Sequence, residues 1–159
     1  MNRHTLIIGV LIVAAAELIA GAEYGDIRGV VFRGNHDGDT FTAELWPEGH
    51  QPAVLGSFEV FRVINVRLAG IDTPERKPKC KDPAEALRLQ GISKQADSFT
   101  FEKLAQAQRI DLLGVRRGKY FRIVATVMYD GKDLGAELLA AGLAKPMNGS
   151  RRPKWCEKK

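Results

Sequence analysis

A chain of 159 residues, 45% hydrophobic and 27% charged, suits one globular domain with a buried core and excludes a disordered or fibrous protein. Its net charge of +5 and isoelectric point near 9.4 draw it to polyanions, though charge alone does not separate nucleic acid from acidic polysaccharide, a membrane surface or plain solubility. Two cysteines and three scattered histidines give no zinc-site spacing.

The first residues carry Arg3 and His4, then an apolar run from Leu6 to Ala16, then Ala20-Gly21-Ala22. A basic start, a short apolar centre and small residues before a cleavage point form the layout of a secretory signal, here cut after Ala22. Glu17 interrupts the run, so a membrane span of ~20 unbroken apolar residues is not available. An uncleaved anchor and a buried first helix are the alternatives. The expected organisation is a signal peptide over 1–22 and one domain over 23–159, exported to the periplasm or the medium. Loss of Arg3 and Glu17 leaves the net charge at +5. In an exported protein an even cysteine count favours one disulfide, Cys80 to Cys156. Two unpaired thiols, or a bond to another chain, are the alternatives.

Ile27–Gly34 (IRGVVFRG) is rich in β-branched and aromatic residues and predicts a strand. HDGDT makes a tight turn, and Thr40–Trp46 (TFTAELW) returns as a second strand. PEGHQPAVLGS predicts a loop, and Phe58–Ile71 a long, bent or bulged third strand. After the basic loop RKPKCKDP, Asp82 is placed to cap a helix, with Pro83 at N1 and Glu85 at N3. That helix should run to about Ala107, with Leu87, Ile92, Ala96, Phe99 and Leu104 inward. RIDLLGV and FRIVATVMY predict two more strands around the turn RRGKY. DLGAELLAAGL predicts a short helix ended by Gly142, and the last residues look irregular. The fold class is therefore α+β, mostly β: a five-stranded OB-fold barrel with one long helix between the third and fourth strands and a short helix after the fifth.

Four places carry candidate chemistry. Asp37-Gly38-Asp39 puts two carboxylates at a tight turn. Arg67 lies near the end of the third strand, with Asp72 and Glu75 beyond it. Lys119, Tyr120 and Arg122 sit at the last hairpin. Each is a weak signal alone. Their order and spacing resemble the staphylococcal nuclease (thermonuclease) family: DGDT (37–40), RLAGIDTPE (67–75), KYFR (119–122) and YDGKDLGAELLAAGLAKP (129–146). The flanks KPKC and RRPKWC look like those of exported bacterial members with a single disulfide.

The resemblance implies a calcium-dependent nuclease. Asp39 and Asp72 match the calcium carboxylates, with the main-chain carbonyl of Thr73; hard oxygen donors are what Ca2+ prefers. Glu75 matches the carboxylate that orients or deprotonates the attacking water. Arg67 and Arg122 match the pair that grips the scissile phosphate, each able to donate two parallel hydrogen bonds. Asp37, Thr40, Lys119 and Tyr120 are weaker matches, near the ion or the nucleotide. The implied substrates are DNA and RNA, the implied products carry 3′-phosphates, and the expected state is a monomer with no stable membrane partner. The sequence departs from the family at Phe121, where glycine is usual, at Gly118, which replaces an acidic residue, and at Asn148 and Ser150, where base-stacking tyrosines are expected. The alternative is a non-catalytic OB module that binds nucleic acid or another polyanion.

Overall fold

The computed structural model describes residues 24–45, 54–55, 58–59, 63–149 and 151–156. The expected signal segment and most of the loop after Trp46 lie outside the described residues. Among the described residues eleven strands and two helices follow one another: β1 Ile27–Arg28, β2 Val31–Asp37, β3 Thr40–Glu44, β4 Val54–Leu55, β5 Phe58–Glu59, β6 Val63–Leu68, β7 Ile71–Asp72, α1 Pro83–Gln106, β8 Ile110–Arg117, β9 Arg122–Tyr129, β10 Lys132–Asp133, α2 Leu134–Ala140 and β11 Lys145–Pro146.

The main sheet runs β1-β8-β9-β6-β3-β2, with β10 paired to β9. Its edges, β1 and β2, are separated in the chain only by Gly29 and Val30. The two edges must therefore lie close together, and the sheet curls on itself without a ladder joining them. Gly29, at φ 70, sits where the expected first strand splits in two, a left-handed angle that glycine adopts without steric penalty. The expected third strand divides as well. Ala69 and Gly70 turn the chain between β6 and β7, and β7 leaves the main sheet to pair with β11. The expected loop after Trp46 contains the β4–β5 pair.

Alternation decides which side chains enter the core. On β9, Ile123, Ala125, Val127 and Tyr129 are buried, while Arg122, Val124, Thr126 and Met128 point to the other face. Phe41, Val66, Leu68, Leu112 and Leu134 fill the same interior. Each such burial contributes ~1.5–3 kcal/mol.

Helix α1 starts as expected, with the Asp82 carboxylate accepting from the Ala84 N–H. Its inner face differs from the expected one. Leu89, Ser93, Ala96, Thr100 and Leu104 are buried, whereas Leu87 is 70% exposed. Ile92 and Phe99 pack at the margin of the core. Where the helix meets the β2–β3 turn the facing residue is the small Ala96, and Leu87 lies off the 3.6-residue stripe that starts at Leu89. Among the described residues, no helix is long and apolar enough to cross a membrane.

Where α1, α2 and β9 meet, the buried Tyr129 hydroxyl donates to the Glu137 carboxylate, and Lys103 lies 3.7 Å from the same group. Burial first, then the hydrogen bond and charge of Glu137, push the phenol up to about 12. A folded-state pKa above the unfolded value of about 10 adds stability that is complete below pH 10 and lost as pH rises toward 12. Tyr129→Phe should therefore cost ~1–2 kcal/mol at pH 7 and flatten that alkaline loss. Urea unfolding of both proteins from pH 8 to 12 measures it, and parallel alkaline slopes would remove Tyr129 as the cause.

Candidate active site

The site begins at the turn between β2 and β3. Gly38 is buried there, and a Cβ on it would lie 2.5 Å from the Ala96 Cβ and 3.0 Å from the Thr73 Cγ2. The Thr100 hydroxyl donates to the Gly38 carbonyl at 2.6 Å, which fastens the turn to α1. Asp37 Oδ1 accepts from the Asp39 N–H at 3.3 Å, so Asp37 shapes the turn and adds a charge beside Asp39.

Asp39 is buried and surrounded by donors. Its Oδ1 accepts from Arg67 Nη1 at 2.7 Å and from the Thr40 hydroxyl at 3.0 Å. Its Oδ2 accepts from the Thr73 N–H at 2.9 Å. Burial nevertheless outweighs the pull of Arg67 and, with the Asp37 charge, raises the Asp39 pKa above the ordinary carboxylate value.

Arg67 is held by the sheet. Thr40 on β3 and Val124 on β9 are its cross-strand partners, and the Leu68 N–H donates to the Asp39 carbonyl at 2.9 Å. Arg67 is only 7% exposed, and its guanidinium bridges Asp39 and Asp72 with two 2.7 Å contacts. A further contact of 3.5 Å reaches the Ile71 carbonyl. These use three of the five N–H donors of a guanidinium and leave two without a partner among the described residues.

Arg122 lies on the same face. It pairs with Asn65, two residues before Arg67 on the parallel neighbour β6. Strand spacing and rise then put the two arginine Cα atoms about 8 Å apart. Among the described residues no carboxylate pairs with Arg122; its buried Nε has no hydrogen-bond partner, and its guanidinium stands 5.7 Å from the Tyr120 ring centroid. The hairpin before it is strained. Tyr120 and Phe121 have φ of 59 and 55, and each is 84% exposed. Lys119 is exposed beside them. A Cβ on Gly118 would come within 2.9 Å of the Arg122 carbonyl, so an acidic residue does not fit this turn.

Glu75 follows β7 on an irregular segment, and its side chain is 62% exposed. It is ion-paired to Arg152, a residue for which the sequence carried no functional signal beyond its place in RRPKWC. Arg152 Nε also lies 3.3 Å from Asp72 Oδ1, and Trp155 Nε1 donates to Asp72 Oδ2 at 3.0 Å. Burial alone would lower the Arg152 pKa, but the hydrogen bond to Glu75 and the charges of Asp72, Glu75 and Asp39 raise it.

The C-terminal segment is anchored at both ends. Lys145 pairs with Asp72 between β11 and β7, and its ammonium stands 4.6 Å from the Trp155 ring centroid. Cys156 is bonded to Cys80, with Cα atoms 5.4 Å apart. Glu85 approaches this bond closely enough to make a formal three-ligand group with the cysteines, but sulfurs joined to each other offer no thiolate for a metal.

The structure thus brings Asp39, Thr40, Arg67, Asp72, Thr73, Glu75 and Arg122 to one sheet face and its margin. Asp39, Asp72 and Glu75 set three carboxylates beside the guanidiniums of Arg67, Arg122 and Arg152. Carboxylate oxygens of this kind, buried at Asp39 and Asp72, are the donor type that a hard divalent cation takes.

Arginines set beside carboxylates on one sheet face offer donors for an anion and oxygens for a cation. Residues 65–158 match SNase, the staphylococcal nuclease homologue family. That is more than half of the 159 residues, and the chain belongs to this family. The match takes in Arg67, Asp72, Thr73, Glu75 and Arg122; the DGDT turn precedes it. Comparison with curated proteins gives no match.

Two backbone positions here have opposite expected outcomes. Gly38→Ala should lose ~1–3 kcal/mol, because its Cβ has nowhere to go. Phe121→Gly should gain up to ~1 kcal/mol by releasing a left-handed angle. Chemical denaturation reads both, and a neutral Gly38→Ala would show that the turn is not seated on α1.

Proposed function

We propose that this chain is an exported, calcium-dependent nuclease that hydrolyses phosphodiester bonds of DNA and RNA. The observation that carries the reading is the common face of Arg67 and Arg122, with Asp39, Asp72 and Glu75 at its margin. Membership of the nuclease family supports the same chemistry. Counted as β1 with β2, then β3, β6, β8 and β9, the curled sheet is read as the five strands of an OB barrel, a fold suited to nucleotide chains.

Asp39, Asp72 and the Thr73 carbonyl would hold Ca2+, which when bound neutralises charge on the scissile phosphate. The remaining steps belong to the chain's own residues. The remaining donors of Arg67 and the guanidinium of Arg122, which no carboxylate pairs among the described residues, donate to the phosphate oxygens. Glu75 takes a proton from a water whose oxygen bonds to phosphorus, and the bond to the 5′ oxygen breaks; that oxygen takes a proton from solvent and leaves as a 5′-hydroxyl, the other product being a 3′-phosphate. As charge builds at phosphorus, the two guanidiniums stabilise the transition state more than the ground state. Tyr120 and Lys119 stand where a neighbouring nucleotide would lie, and the exposed rings of Tyr120 and Phe121 offer faces for bases in place of the missing tyrosines. Removal of residues 1–22 on export, a monomeric state and an oxidising compartment complete the proposal; the Cys80–Cys156 bond is consistent with export.

Hydrolysis of single-stranded DNA in calcium, and its loss in chelator, is the direct test. Binding without hydrolysis in calcium would make this a nucleic-acid-binding module instead. Glu75→Gln should lower turnover at least ~100-fold with an unchanged thermal midpoint. Full turnover in that variant would remove Glu75 from its role.

A further inference from the structure

The two segments joined by the disulfide are the two that carry the Glu75–Arg152 pair. Glu75 lies five residues before Cys80, and Arg152 four before Cys156. Glu75 is an exposed side chain on a segment without regular structure, and among the described residues Arg152 is its partner. Left alone, such a carboxylate would sample several rotamers, few of them beside Asp72. Arg152 removes that freedom, because it is itself fixed. Its Nε is 3.3 Å from Asp72 Oδ1, on a carboxylate already gripped by Arg67 at 2.7 Å. Trp155 holds the other oxygen of Asp72 at 3.0 Å, and Lys145 donates to the Lys154 carbonyl at 3.1 Å. The chain of contacts runs from the buried Arg67 through Asp72 and Arg152 to the exposed Glu75.

We propose that Arg152, held in place by the Cys80–Cys156 bond, is a positioning residue that fixes the Glu75 carboxylate beside Asp72, so that the C-terminal segment is part of the catalytic machinery. This rests on the reading of Glu75 as the carboxylate that acts on water. An exposed ion pair adds little to stability, so fold maintenance alone gives this contact scant value. Geometry gives it much more, since a displacement of about 1 Å in a reacting group can cost on the order of 100-fold in rate.

The test uses the full chain in its oxidised form, with single-stranded DNA and saturating calcium. Arg152→Gln should lower kcat by roughly 10-fold or more while KM stays within about 2-fold, and Arg152→Lys should recover part of the loss. Reduction of the disulfide should bring the parent protein toward the Arg152→Gln value, yet leave Arg152→Gln itself nearly unchanged, because the two act through one contact. A thermal midpoint close to the parent's shows that the variants remain folded. A kcat for Arg152→Gln equal to or above the parent's overturns the proposal, the latter revealing a blocking contact. A loss confined to KM also overturns it and makes Arg152 a substrate-binding group. A parent protein that hydrolyses nothing defeats the nuclease reading and this role together; an active parent with an unaffected variant defeats this role alone.

Discussion

A buried guanidinium held between two buried carboxylates organises this molecule. Arg67 cannot leave Asp39 and Asp72 without stranding charges in the interior, a change that commonly costs ~3–5 kcal/mol. The surrounding architecture serves that placement. The β3–β6 register puts Thr40 opposite Arg67, so the neighbouring Asp39 sits at the end of its reach. The Ala69–Gly70 turn then brings Asp72 back to the same guanidinium. Gly38 lets the turn bearing Asp39 press against α1, and Thr100 fastens it there. Small residues on the helix are thus part of the electrostatics, because a bulkier face would move Asp39 away from Arg67.

Much of this was legible in the sequence where the signal is local. The cap at Asp82, the stop at Gly142, the turn at Asp37–Asp39 and the arginine-to-carboxylate spacing from Arg67 to Glu75 are short-range patterns with short-range causes. The inward face of α1 was misjudged at Leu87, because 3.6-residue periodicity puts Leu87 on the far side of the helix from Leu89, which starts the buried stripe. The split of the first strand hinges on one left-handed glycine, Gly29, inside a run that otherwise has uniform β propensity. Arg152 and Trp155 escaped notice for a different reason. Their partners, Asp72 and Glu75, lie more than seventy positions away in the sequence, and only the disulfide and the β7–β11 pairing bring them near.

The hairpin before Arg122 shows how a departure from family pattern is accommodated. Phe121 occupies a left-handed angle that glycine would accept freely, yet its ring is in solvent and meets no neighbour that must move. The strain is confined to the turn. Arg122 itself remains in the β9 ladder, opposite Asn65, so strand pairing rather than the turn aims its side chain. The cost of Phe121 therefore falls on stability, while Arg122 keeps its place in the ladder beside Asn65.

The site has two halves that differ in how they are held. Asp39, Arg67 and Asp72 are buried within sheet and turn, where packing, mutual ion pairs and hydrogen bonds fix them. Glu75 and Arg152 are exposed on irregular segments, where packing is weak and only a tether can limit motion. A disulfide closing a loop of this length stabilises by ~4 kcal/mol in the chain-entropy model, wherever in the fold it falls. Chain entropy accounts for having a crosslink but not for its position. Its placement beside Glu75, the exposed carboxylate for which we propose a role in the chemistry, fits a need to hold a group that the core does not reach.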